Sequence, residues 1–187
     1  MSFDYFVAIK EQNWPNADVV QLNLERLGYP IRLAAAPAAP LQVADFGKGL
    51  TVFFEGREVI LEADIEQAKD ADDPDSLFGY IAQCAAPNFK IANGDYFLVL
   101  TFRSEPDQVR AGLYLAAAMI LSFDGYGFEN QAERHGRQAF AEQLIAEASD
   151  RTAFKRPVPT YKLNPDFKFP EQRRSIADRV RKIFGTR

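Results

Sequence analysis

The sequence predicts a single α+β domain with a mixed or antiparallel sheet of about five or six strands packed by helices, followed by a basic C-terminal helical tail. Short runs rich in aromatic and β-branched residues alternate with segments whose apolar residues recur at helical spacing. A chain of 187 residues with 47% hydrophobic content suits one core. The longest apolar segment, residues 111–123, is shorter than the roughly 20 residues that cross a bilayer.

The first third of the chain predicts two strands around a helix. Residues 3–9 are aromatic and β-branched enough for a strand. A helix should cover about residues 15–27, because Pro15 suits a first turn and Gly28 suits a helix end. A second strand can start over residues 30–33, and the Ala/Pro-rich stretch that ends at Pro40 should be a loop, since proline pairs poorly in a sheet.

The middle of the chain predicts a hairpin, an acidic connection and a helix. Residues 50–54 and 57–63 are strand-like and are separated by Glu55-Gly56, a tight-turn signal. Residues 64–76 interrupt the apolar pattern with six carboxylates, so we expect an exposed acidic connection. A helix should follow over about residues 75–86, where apolar residues fall at helical spacing.

The last part of the acidic half predicts a central strand and two helices. A turn at Asn93-Gly94-Asp95 precedes the almost wholly apolar residues 96–102, as expected for a strand covered on both faces. Ser104, with Asp107 three residues later, approximates a capping box for a helix that runs to about residue 123 and should be the most buried one. A short extended piece over 125–130 and a helix over 137–148 should follow.

Charge divides the chain into two parts. Residues 1–150 form an acidic α+β domain with 11 Lys and Arg against 23 Asp and Glu, a net −12. Residues 151–187 form a Pro-rich basic extension with 11 against 3, a net +8. The extension should end in an amphipathic helix that docks on the domain. Its apolar positions are Ile176, Val180, Ile183 and Phe184.

The acidic body restricts the classes of partner. It repels nucleic acid and membrane surfaces and attracts basic partners, so we expect a protein partner and no membrane. The N-terminal residues lack the basic start and small-residue cleavage site of an export signal. A single cysteine agrees with a reducing compartment. The sequence therefore predicts a cytoplasmic protein.

No residues are expected to be catalytic, and no metal or cofactor is expected. His135 and Cys84 are the only histidine and cysteine, and neither has a sequence feature that would orient it for nucleophilic chemistry. One histidine and one cysteine cannot supply the four ligands of a structural zinc site. No phosphate-binding glycine motif occurs. Both residues are interpreted as structural.

The carboxylates around the acidic connection are the candidate partner-binding residues. Pro74 occupies an expected ligand position, which argues against a calcium loop. A plain solvated loop is one interpretation. The other is a docking surface for a basic partner, because clustered carboxylates speed association and pair with arginine. The candidates are Glu66, Asp70, Asp72, Asp73 and Asp75.

Three segments together resemble the immunity proteins that bacteria encode beside polymorphic toxins. They are the opening strand and helix of residues 5–33, the hairpin strand GREVILE, and residues 97–131, which run from a strand through an alanine-rich helix to a glycine-punctuated piece. The resemblance covers about the first 150 residues and excludes the tail. It implies an acidic, cytosolic, non-catalytic protein that neutralises a cognate toxin by occluding its active site.

The leading hypothesis is therefore a non-enzymatic binding protein whose partner is a toxin domain. Two alternatives stay open. One is an enzyme or regulator with an unrecognised site. The other is an RNA-associated accessory protein that uses the basic tail, where aromatic residues are interleaved with Lys and Arg.

Overall fold

The structure is a computed structural model that describes residues 3–43, 49–103, 105–150 and 152. Its seven strands are β1 (Phe3–Ile9), β2 (Ile31–Leu33), β3 (Leu50–Phe54), β4 (Arg57–Gln67), β5 (Tyr96–Phe102), β6 (Tyr126–Glu129) and β7 (Arg134–Gly136). Its α-helices are α1 (Ala17–Arg26), α2 (Leu77–Ala85), α3 (Pro106–Ser122) and α4 (Gln138–Ser149). The predicted α+β class is confirmed.

All seven strands join one antiparallel sheet in the order β2-β3-β4-β5-β1-β6-β7. β5 is the central strand, as its unbroken apolar sequence predicted. The hairpin between β3 and β4 turns at Glu55 and Gly56, also as predicted. β7 was not predicted, because its three residues Arg134, His135 and Gly136 carry no apolar signal.

Three helices cover one face of the sheet and one helix covers part of the other. α3 crosses β1, β4 and β5, and α1 and α4 pack beside it. Every residue from Arg110 to Ile120 is buried, which confirms that α3 is the most buried helix. On the opposite face, α2 packs through Leu77 and Ile81 into a second cluster that contains Phe97 and Phe128.

Two predictions about local structure are wrong. The acidic connection does not begin at Asp64, because β4 continues to Gln67. Asp64 and Glu66 pair with Val99 and Phe97 of β5, while the alternate residues Ala63 and Ile65 pack on the core. The predicted capping box does not start α3 either. The N-cap is Glu105, without a side-chain capping bond, and Ser104 lies outside the described residues.

A buried arginine joins the end of the described chain to the β3–β4 hairpin. The Nε of Arg110 donates to the carbonyl oxygen of Ala148 at 2.7 Å, and its Nη2 donates to Glu55 Oε1 at 2.9 Å. Its guanidinium also lies 4.8 Å from the ring centroid of Phe54. The C-terminal end of α4 is therefore held close to the hairpin turn.

Within the described ranges, no helix combines the length and the apolar character needed to cross a bilayer. The predicted amphipathic helix of the tail, and its docking, lie outside the described residues.

Candidate functional site

An open groove of about 900 Å³ lies where β4 ends, α2 begins and β5 starts. We call it the acidic groove. Its lining residues are Ile65, Glu66, Gln67, Lys69, Asp70, Asp73, Asp75, Ser76, Leu77, Phe78 and Tyr96. The groove thus brings four of the five candidate carboxylates together. Asp72 is exposed on the same loop but does not line the groove.

The loop over residues 68–76, the acidic loop, is held by its own backbone. Asp70 adopts a left-handed conformation with φ of 53°. The amide of Asp73 then donates to the carbonyl of Asp70 at 3.0 Å, and the amide of Ser76 donates to the carbonyl of Asp73 at 3.0 Å. The amide of Asp75 donates to Asp73 Oδ1 at 2.9 Å. These bonds fix where the carboxylates project.

Ser76 connects the acidic loop to α2. Its hydroxyl donates to the carbonyl of Asp70 at 2.6 Å and accepts the amide of Gly79 at 2.8 Å, so it is the N-cap of the helix. The positive end of the helix dipole favours the nearby carboxylates of Asp73 and Asp75. Local structure therefore stabilises a concentration of negative charge that would otherwise repel itself.

Glu66 differs from the other carboxylates because it is half-buried on a strand. Burial raises the pKa of its carboxyl group, and the nearby Asp64 raises it further, while Lys69 lowers it. Among the described residues, the carboxylates of Glu66, Asp70 and Asp75 have no hydrogen-bond or salt-bridge partner. They are therefore available to an external cation.

Aromatic side chains form the apolar part of the groove. Phe78 packs against Phe97 with ring centroids 4.8 Å apart, and Tyr96 stacks on Trp14 at 5.0 Å. The sequence predicted a helix at Phe78 and a strand at Tyr96, but it did not predict that these two side chains lie beside the carboxylates. The alternation of Asp64 and Glu66 with apolar residues was the signal that β4 continues.

His135 and Cys84 lie on the α2 face of the sheet, and neither lines the groove. The hydroxyl of Tyr126 donates to the carbonyl oxygen of Cys84 at 3.0 Å and is also hydrogen-bonded to Nδ1 of His135. The His135 ring stacks on Phe128 at 6.2 Å. Burial raises the pKa of the Cys84 thiol, although a hydrogen bond with Tyr80 opposes this. Such a thiol stays protonated and is a poor nucleophile.

Over the described part of the chain, no three His, Cys, Asp or Glu side chains are grouped so that they could hold a metal ion. Four of the candidate carboxylates instead line one opening. No protein-family model, curated protein or solved structure matches this chain.

Proposed function

We propose that this chain is a non-enzymatic binding protein, and specifically an immunity protein that neutralises a cognate bacterial toxin in the cytoplasm. The observation that carries the proposal is the acidic groove, in which Glu66, Asp70, Asp73 and Asp75 surround an opening with aromatic walls. The acidic groove would bind the basic active-site cleft of the toxin and so exclude its substrate.

The chemistry of the groove supports a basic partner. Carboxylates pair with arginine through short, charge-assisted hydrogen bonds. Phe78 and Tyr96 add ring surfaces on which the planar guanidinium group and the aliphatic stem of an arginine can pack. A toxin that acts on nucleic acid or phosphorylated substrates has cations where the phosphates bind, so carboxylates at the same positions would compete with substrate.

The charge of the whole body supports the same partner. The whole chain carries a net −4, and its acidic part, residues 1–150 with −12, attracts a basic protein and accelerates the encounter. The same negative charge also opposes binding of this part of the chain to a nucleic-acid backbone. The long-range attraction and the contacts in the acidic groove would then both favour a basic protein partner.

Growth of cells that express the toxin encoded beside this gene tests the proposal. Wild-type chain should restore growth. A groove variant, Glu66→Gln/Asp70→Asn/Asp73→Asn/Asp75→Asn, should restore it less well at equal protein level, because it keeps the side-chain shapes and removes four charges. Asp72→Asn is the matched control and should protect like wild type, since Asp72 lies on the loop but outside the groove. Failure of the wild-type chain to protect would contradict the proposal.

A further inference from the structure

One half of the α2 face of the sheet is uncovered in the described part of the chain. α2 packs on the half that contains Phe97 and Phe128. The helix that contacts β3 and β4 is α3, which lies on the other face. Ile60 of β4 accordingly remains 47% exposed, which is high for an isoleucine in the interior of a strand. We call this half, formed by the outward side chains of β3 and β4 with Val99 and Thr101 of β5, the open face.

The open face combines an apolar centre with a row of carboxylates. Ile60 lies opposite Thr51 of β3, and the half-buried Phe53 and Val99 are on the same side of neighbouring strands. Side chains two residues apart on a strand share a face. The alternation along β4 therefore places three acids beside this centre: Glu58, Glu62 and Asp64.

Part of this charge is already compensated. Glu62 forms a two-bond salt bridge with Arg103, at 2.7 and 2.8 Å, but both side chains are largely exposed. The guanidinium of Arg32 lies over the ring of Phe53 at 4.9 Å. Glu58 has no salt bridge or hydrogen bond from its side chain within the described residues. The face thus keeps a net negative charge around an apolar strip, which is complementary to a basic amphipathic helix.

We propose that residues 171–187 of this same chain pack as an amphipathic helix on the open face. The segment carries Ile176, Val180 and Ile183 at helical spacing and a majority of cationic residues among its charged ones. Seventeen helical residues extend about 25 Å. The row from Glu58 to Asp64 extends about 20 Å. One helix therefore covers this row and leaves Glu66 in the acidic groove.

The point at which the described chain ends makes this docking reachable. α4 ends at Ser149, and Arg110 ties the adjacent Ala148 to Glu55 in the β3–β4 turn. Glu58, the first acid of the row, is three residues beyond Glu55. Residues 153–170 number 18 and span up to roughly 60 Å when extended, which is ample to pass around the edge of the sheet. The helix would complete the second layer of the fold beside α2.

Limited trypsin digestion of the full-length chain tests the docking. The segment contains cleavage sites at Arg173, Arg174, Arg181 and Lys182. We expect these sites to be protected in wild type. Ile60→Asp on the open face should accelerate their cleavage roughly ten-fold or more, because it favours local opening. Leu22→Asp is the control, since Leu22 is 57% exposed on α1 at the opposite face, and it should leave cleavage unchanged.

Charge reversal gives a second variant that changes no apolar side chain. Glu58→Lys with Asp64→Lys should also release the segment, whereas Glu25→Lys on α1 should not. Cleavage of the wild-type sites at the rate of a free peptide would overturn the proposal. Protection that survives both open-face variants would overturn it as well, because the segment would then dock elsewhere.

Carbodiimide cross-linking identifies the occupant of the open face directly. In the full-length protein, Lys182 should form amide cross-links with carboxylates of β4, and Glu58 and Glu62 are the nearest candidates if the helix runs antiparallel to the strand. A mixture of isotopically labelled and unlabelled chains separates links within one copy from links between two copies. Links found only between copies, or only to α4 carboxylates such as Glu142, would contradict the proposal.

Discussion

A Cβ placed on Gly79 would lie 1.8 Å from the carbonyl oxygen of Asp73. Atoms that are not bonded cannot approach so closely, so a side chain at position 79 and the observed course of the acidic loop exclude each other. The first turn of α2 therefore shapes the acidic groove as directly as the carboxylates do.

Gly79→Ala should move the acidic loop and lower stability. Overpacking of this kind typically costs about 1–3 kcal/mol, and here the atom in conflict belongs to the backbone, which cannot rotate away. Urea denaturation would measure the loss, and partner binding should weaken because Asp70 and Asp73 shift. Gln83→Ala on the exposed side of α2 is the control, expected within about 0.5 kcal/mol of wild type. Equal stability of Gly79→Ala and wild type would contradict this packing.

Glu66→Gln should change the pH dependence of stability. The pKa of Glu66 is higher in the folded protein than in the unfolded chain. Its contribution to the free energy of unfolding is therefore fully present below the pKa of the unfolded chain, and it is lost as the pH rises through the pKa of the folded protein. At pH 7 the variant should be slightly more stable than wild type, by less than about 1 kcal/mol because the group is only half-buried. The difference should vanish below about pH 4. Asp72→Asn is the control for the loss of one negative charge. If Glu66→Gln is still more stable than wild type at pH 4, burial of the Glu66 carboxylate is not the cause of its higher stability.

The sequence predicted most elements because their signals are local. The Glu55-Gly56 turn, the apolar run of β5 and the Ala-rich α3 each contain their own pattern. The groove depends on contacts between distant segments, for example Ala71, whose amide donates to Asn93 Oδ1 at 2.8 Å. No local pattern reports such a contact. Glu66 was predicted as a loop acid, since its neighbours Asp64 and Lys69 look polar, although it pairs with Phe97 in a strand.

Asp95→Ala should be among the more destabilising polar substitutions in the chain. Asp95 is 5% exposed, and its carboxylate accepts Lys10 Nζ at 2.7 Å and the amide of Ala92 at 2.8 Å. Removal of the Asp95 carboxylate leaves Lys10 Nζ and the Ala92 amide without this acceptor. We therefore expect the free energy of unfolding to fall by about 2–4 kcal/mol, as measured by thermal or urea denaturation. Arg57→Ala breaks the exposed salt bridge with Asp107 and should cost less than about 1 kcal/mol. Equal losses of unfolding free energy in Asp95→Ala and Arg57→Ala would contradict this difference between a buried carboxylate and an exposed salt bridge.

Cys84 and His135 should be dispensable for function. The raised pKa of the Cys84 thiol predicts slower alkylation at pH 8 in the folded protein than in urea. The double variant Cys84→Ala/His135→Ala should still protect cells from the toxin. Complete loss of protection with an unchanged melting temperature would favour an enzyme over a binding protein.

The central claim is that the chain binds a toxin through the acidic groove, and association kinetics with the purified candidate toxin, the product of the neighbouring gene, test it most directly. Wild type should form a complex whose association rate falls as salt rises. The groove variant at Glu66, Asp70, Asp73 and Asp75 should associate about ten-fold more slowly with a flatter salt dependence, and Asp72→Asn should stay close to wild type. No complex between the wild-type chain and that toxin at any salt concentration would contradict the account.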